Sequence, residues 1–257
     1  MTANVTLTLI GGPTVLIEFC GFRLLTDPTF DPPGRYEAGA ITLEKTRGPA
    51  LAADAVGPVE AVLLSHDQHF DNLDRAGRAF LPKAGRVITT AEGAQRLGGN
   101  ATGLAPWETT RLARDGGPSL LVTATPARHG PVGFEPMSGD VIGFALGRDA
   151  PGDAVYVTGD TVWYEGVAEV ARRFRPRLVV LFAGGARPRG PFFVTLDNNG
   201  AVEAAHAFTQ ARVVGVHNDG WAHFSESQAD LAKTFAALGL TKRLLLLAPG
   251  RAEQIAL

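Results

Sequence analysis

Short apolar runs broken by turn residues dominate the chain. Val5 to Ile10, Thr14 to Phe19 and Phe22 to Leu25 read as strands, with Gly11-Gly12-Pro13 and Cys20-Gly21 as turns, so a meander opens the fold. Val62 to Leu64 reads as a buried strand, Asp74 to Phe80 as a short helix, Arg86 to Thr90 as a strand and Ala91 to Leu97 as a helix. Residues 107 to 125 read as a strand pair turned at Asp115-Gly116-Gly117. Strands follow at Val141 to Leu146, Ala154 to Thr158, Leu178 to Phe182 and Arg212 to Val216, with helices at Val162 to Phe174, after Asp197, and from Ser225 to Leu238. The run Arg243-Leu-Leu-Leu-Leu-Ala-Pro-Gly closes the sheet. Residues 28 to 58, with Pro28, Pro32, Pro33, Gly48, Pro49 and Pro58, lack a period and read as a long loop inserted in the domain. Its Phe30 and Tyr36 either wall a pocket or pin the loop to the core.

The apolar runs end on one kind of chemistry. Ala61-Val-Leu-Leu-Ser stops at His66-Asp-Gln-His69-Phe-Asp71-Asn72, Leu120 to Thr125 runs into Pro126-Ala-Arg-His129, Ala154 to Thr158 into Gly159-Asp160-Thr161, and Arg212 to Val216 into His217-Asn-Asp-Gly-Trp221-Ala-His223. Imidazole nitrogen and carboxylate oxygen are the donors that zinc takes. A lone histidine at a strand end is ordinarily a cap, but clustering and recurrence favour metal ligation. Asp160 has a second reading as the cap of the following helix, and Asp27 as a turn residue before Pro28. His206 falls within the helix after Asp197 and is not a ligand.

Composition narrows the class. The 257 residues are 45% hydrophobic and 19% charged with a formal net charge of -2, which suits one globular domain over residues 1 to 257 and argues against nucleic acid as a partner. The single cysteine excludes an internal disulfide framework, and Cys20 reads as core. The first residues lack a signal-peptide pattern, no apolar run approaches the roughly 20 residues of a membrane span, and a cytoplasmic protein without a membrane partner is expected. A homo-oligomer is compatible with the sequence. Neither G-x-S-x-G nor a Walker A lysine motif occurs, which disfavours a serine hydrolase or a P-loop enzyme. Arg172, Arg173, Arg175 and Arg177 suit the C-terminal end of a helix. Arg187 and Arg189 follow a strand on the ligand side, either to meet an anionic substrate or as a solvated loop.

The ordered set Asp27, His66 to Asn72, His129, Asp160 and His217 resembles the motifs of the metallo-β-lactamase superfamily, over nearly the whole chain. Pro126-Ala-Arg-His129 is closest in wording to its ascorbate-phosphate lactonase-like branch. The resemblance implies a four-layer αββα sandwich. It implies metal ligands among His66, His69, Asp71, His129, Asp160 and His217, with Asp160 bridging two ions and Asp27 supporting the ligands. Zinc is the expected metal, as one or two ions, with manganese or iron as alternatives. The implied activity is metal-dependent hydrolysis of a small substrate, a lactone or similar ester, or a phosphodiester if Arg187 and Arg189 face the site. Asp71 would also orient the attacking water, and His223 would bind substrate or protonate the leaving oxygen. The match departs from the family pattern in the first motif, where one extra residue follows His66 and Asn72 stands in the place of a histidine. Gln68 and Asn72 therefore leave open a third reading, a catalytically weak binding protein.

Overall fold

The computed structural model describes residues 4–114 and 116–257, so Asp115 in the expected turn lies outside the described residues. Alternating apolar positions send each strand's side chains to two faces. Val155 and Val157 enter one cluster and Tyr156 another, and Val180 and Phe182 part in the same way from Val179 and Leu181. Two seven-stranded sheets thereby stack over a shared core to which Leu7, Ile17 and Leu24 contribute from one side and Phe144, Val157 and Phe182 from the other. Phe80 and Leu81 cover the outer face of the first sheet at Leu25 and Val62. The helices Glu165–Arg173, Asn198–Ala207 and Gln228–Ala237 cover the second through Val170, Ala204 and Phe235. The layers run αββα.

Strand direction gathers the motifs. Phe22–Thr26 is parallel to Ala61–Leu63, and Val155–Val157, Leu178–Phe182 and Arg212–Val216 are parallel to one another. Ser119–Pro126 and Val155–Val157 both run antiparallel to Ile142–Gly147 and so point the same way. The carboxyl ends of these strands deliver Asp27, His66, His129, Asp160 and His217, the usual place for a site in such sheets.

Residues 28 to 58 are more ordered than their composition suggests. They contain the hairpin Gly34–Ala38 with Ile41–Lys45 and the short helix Ala53–Val56. Ile41–Lys45 does alternate, with Leu43 and Lys45 buried, but over five residues it is too short a run to stand out among the surrounding prolines and glycines. Tyr36 packs on Phe70 and Trp221, with ring centroids 5.1 and 5.3 Å away. Asp74 anchors the segment from the histidine motif: its carboxylate accepts from the amides of Phe30 (2.9 Å), Asp31 (2.7 Å) and Gly77 (2.8 Å) and from Lys45 Nζ (2.8 Å). Lys45 and Asp74 are both buried, so each charge depends on the other. The end of the chain also differs from expectation. Leu244–Leu245 joins the second sheet as a two-residue strand, and the exposed strand Ala252–Ala256 crosses to the first sheet beside Asn4–Gly11. The strand Ala101–Leu104, only partly buried, has no apolar run to announce it. No helix among the described residues is long and apolar enough to cross a membrane.

Candidate metal centre

The extra residue of the first motif is taken up by turning the intervening side chains away from the histidines. Arg96 holds the Asp67 carboxylate through Nε (3.0 Å) and Nη2 (2.6 Å), and exposed Gln68 lies against Gly139. His66 and His69 thus both return to the centre, where they meet His129. His66 Nε2 stands 2.8 Å from His69 Nδ1, and His129 Nε2 stands 3.1 Å from the same atom.

Hydrogen bonds on the outer ring nitrogens set the tautomers. Nδ1 of His129 faces the carbonyl of Val194 at 2.7 Å, and a carbonyl only accepts, so the proton is on Nδ1 and the Nε2 lone pair points inward. The Ser65 hydroxyl donates to Asp27 Oδ1 at 2.6 Å, which leaves its oxygen to accept from His66 Nδ1 at 2.9 Å, and again Nε2 presents a lone pair. Burial and the neighbouring His69 hold His66 well below its ordinary pKa, and burial with His129 brings His69 down to about 4. His66 and His69 are thus held neutral, and their nitrogens and the inward Nε2 of His129 face one another with too few protons to pair them.

A second group, Asp71, Asp160 and His217, adjoins the first, with ligand atoms within 4.8 Å of one another in each. Asp160 divides its oxygens between the two: Oδ2 lies 3.7 Å from His129 Nε2 and Oδ1 lies 3.3 Å from His217 Nε2. It does not cap the following helix, which starts at Glu165 rather than near Val162, with Tyr164 in the capping position. Gly159 puts it there: at φ +61°, a β-carbon on Gly159 would lie 2.6 Å from the Ile142 carbonyl. Burial alone would raise the Asp160 carboxyl, but His217 and His129 hold it well below the usual carboxylate range. For Asp71 the same burial is outweighed by the hydrogen bond from His223 Nε2, 2.9 Å from Oδ2, and by the charges of His223 and His217. Burial would lower His217, and the Asp160 carboxylate more than reverses that. Both oxygens of Asp160, both ring nitrogens of His217 and both amide atoms of Asn72 are buried without a hydrogen-bond partner. Unpaired groups of this number are costly, and a divalent cation accepting these donors relieves the cost. The residues present fit a metal centre, with three imidazoles in one group and two carboxylates and an imidazole in the other.

Asp27 lies beneath the centre, buried and in a left-handed backbone conformation (φ +29°), and accepts from the amide and hydroxyl of Ser65. Burial and the nearby Asp160 carboxylate push its pKa up to about 8, against the Ser65 hydrogen bonds. His217 is also left-handed, at φ +56°. Strain of this kind persists where the surroundings fix the conformation.

Of the remaining candidates, His223 turns inward and lines, with His69, Asp71 and His129, a narrow cavity of about 40 Å³. Arg189 reaches the same cavity, whereas Arg187 lies over the Phe193 ring. The walls are apolar, from Ile41 and Leu43 of the hairpin and from Phe134 and Met137. Sequence reasoning missed Leu43, Phe134 and Met137, which sit in stretches without a motif; Phe30 and Tyr36 pin the hairpin segment and do not line this cavity. His206 lies exposed on its helix, away from the centre.

Residues 22–218 match the family described as the beta-lactamase superfamily domain. The UPF0173 protein YddR of Bacillus subtilis is 23% identical over 249 residues, 93% of this chain and 95% of its own length. Among solved structures, an isothiocyanate hydrolase from Delia radicum gut bacteria superposes with a TM-score of 0.82 at 22% identity, over 98% of this chain and all of that one. A possible metal-dependent hydrolase from Veillonella parvula gives 0.83 at 21% identity, over 98% of this chain and 99% of its own. The strand-end motifs, the αββα layers and these matches agree: the chain belongs to the metallo-β-lactamase superfamily.

Proposed function

We propose that this protein is a metal-dependent hydrolase acting through metal-activated water on an ester-type bond of a small substrate, a lactone or a similar ester. The observation that carries the reading is the convergence of ring nitrogens of His66, His69 and His129 beside a buried Asp160 whose oxygens face both donor groups. His66, His69 and His129 would hold one ion and Asp71 and His217 a second, with Asp160 between them. Zinc suits these donors, and manganese or iron also take mixed imidazole and carboxylate shells. A divalent cation held there supplies hydroxide near neutral pH and polarises the scissile bond.

The chain's own groups supply orientation and proton handling. Asp71 would accept a hydrogen bond from the attacking water and fix its line of approach. His223, hydrogen-bonded to Asp71 through Nε2, would release that bond to donate to the leaving oxygen. Ile41, Leu43, Phe134 and Met137 would hold the apolar part of the substrate and exclude water. A phosphodiester is the second reading, favoured by Arg189 at the cavity. A panel of lactones, aryl esters, phosphodiesters and an isothiocyanate, offered to zinc-, manganese- and iron-loaded protein, decides among them. Turnover of lactones or esters that is lost on chelation and restored by metal supports the proposal; phosphodiester turnover alone replaces it with the second reading. Less than about a tenth of an equivalent of bound metal after reconstitution sinks both.

A further inference from the structure

The two sheets end differently on the two sides of the sandwich. On one side the edge strands are Ala101–Leu104 and Thr109–Ala113, and Arg86 Nη1 donates to Thr110 Oγ1 at 3.1 Å between the sheets. Arg111 and Arg114 stand exposed there, Arg114 paired with Glu60. Charged side chains of this kind guard an edge against pairing with another chain. On the other side the edges are Leu244–Leu245 and Ala252–Ala256, brought together as Leu245 packs on the core cluster that holds Ile255. Among the described residues Ala252–Ala256 pairs with Asn4–Gly11 and with no strand beyond it. Four of its five residues are exposed, and Glu253 is its one charge. Leu246, 54% exposed, follows the neighbouring edge strand.

The turn at Cys20 and Gly21 fixes which backbone groups of this edge are free. Both residues are left-handed, at φ +53° and +79°, so the flanking Phe19 and Phe22 exchange hydrogen bonds across a two-residue turn. Direction alternates along a strand. Phe19 and Ile17 therefore face Phe22–Thr26, while Glu18 and Leu16 face Thr6 and Thr8. That leaves Val5 and Leu7 to face Ile255 and Glu253. The Leu9 carbonyl, next in the same alternation, accepts from the Gly250 amide at 2.8 Å. The amides and carbonyls that point away from the sheet are thus those of Ala252, Gln254 and Ala256.

We propose that this edge is the interface of a two-fold dimer, in which Ala252–Ala256 of two copies pair antiparallel about Gln254 and join their first sheets into one. Such a contact must be complementary to itself. Centred at Gln254, it sets that residue against its own copy and Ala252 against Ala256 of the partner subunit, so every outward amide and carbonyl is paired. Glu253 then falls opposite Ile255 of the partner subunit, and no like charges meet. Centring one residue earlier would set Glu253 against its own copy, and one residue later would pair fewer of the outward groups. The contact is short, so the dimer dissociates in the micromolar range.

Sedimentation of the metal-loaded full chain from about 1 to 100 µM tests this, with the mass rising from one chain to two across the range. Gln254→Pro removes one outward donor from each copy and no bond to Asn4–Gly11, a place where an edge strand tolerates proline. It weakens association by about tenfold or more. Gln254→Lys places two like charges on the axis and weakens it by about threefold or more at low salt. Three strands separate this edge from Ala61–Leu63, so both variants keep the wild-type metal content. If Gln254→Pro fails to fold, Gln254→Lys decides. A wild type that stays monomeric throughout, or a dimer equally tight in the folded variants, overturns the proposal.

Discussion

The two donor groups at the strand ends are built to different standards. In the histidine group, the outer nitrogens of His66 and His129 are tied to Ser65 and to the Val194 carbonyl, so the inward lone pairs exist before any ion arrives. In the carboxylate group, only Asp71 is tied, through His223, while the side chains of His217 and Asp160 face each other at 3.3 Å and make no hydrogen bond to any residue outside the centre. The first group is preorganised; the second carries charge and relies on its ligand for order. Preorganised donors lose less freedom on binding, so the histidine group should take the tight equivalent and the carboxylate group the weak one.

The sharpest break in this comparison is at Asp160, which faces both groups. Asp160→Asn keeps the shape and removes the charge. Activity on the best substrate of the panel should fall by more than about a hundredfold, beyond what loss of a supporting residue costs. The second equivalent of metal should be lost, while the thermal midpoint of the metal-free protein stays within a few degrees of wild type. Wild-type metal content and rate in this variant would remove Asp160 from the centre and with it the two-ion reading.

Ser65→Ala tests preorganisation of the histidine group alone. It removes the acceptor for His66 Nδ1 and the hydroxyl that donates to Asp27. Affinity for the tight equivalent should drop by about 10- to 100-fold in a competitive chelator titration, with the weak equivalent little changed. An equal loss at both would show the groups to be one cooperative unit.

The buried His69 imidazole also predicts an acid response in metal-free protein. His69 has a folded pKa of about 4, against about 6.5 in an unfolded chain, so the unfolded state binds more protons between those values. The stability tied to this group is present above about pH 6.5 and lost as pH falls toward 4. Asp27, raised to about 8, slopes the other way between pH 4 and 8, and the readout is therefore the difference between wild type and His69→Asn. Denaturant unfolding should show wild type losing up to about 3 kcal/mol more than the variant on acidification across that window. Parallel profiles would mean that His69 is not held neutral.

What the sequence made legible follows from where periodicity and chemistry coincide. The strands before His66, His129, Asp160 and His217 are buried apolar runs that stop on donors, and the structure brings all of these residues to one edge. Asp160 was ambiguous because Asp both caps helices and binds metals; only the helix start at Glu165 separates the two. The hairpin Gly34–Ala38 with Ile41–Lys45 was hidden because its alternation spans only five residues a strand and because Tyr36 and Leu43 pack in one cluster with distant Phe70 and Trp221. The role of Lys45 was equally invisible, since its partner Asp74 lies 29 residues on. Asp67 and Arg96, which absorb the extra residue of the first motif, are likewise a long-range pair.

The smallest effect, and the one that sharpens the contrast most, concerns Asn72. It stands in the place of a family histidine, is fully buried, and leaves both amide atoms unpaired. If the amide oxygen serves the weak ion, its cost is recovered only when metal is present. Asn72→Leu is close in shape and removes the unpaired atoms. In metal-free protein it should raise stability by about 1 to 3 kcal/mol, the penalty of an unmade buried hydrogen bond. In metal-loaded protein that gain should shrink or reverse, and the weak equivalent should bind more weakly still while the tight one is unchanged. Paired unfolding curves with and without metal read out both effects. A stability gain of the same size in both states would show that Asn72 does not serve the ion, and that the carboxylate group is completed by Asp71, Asp160 and His217 alone.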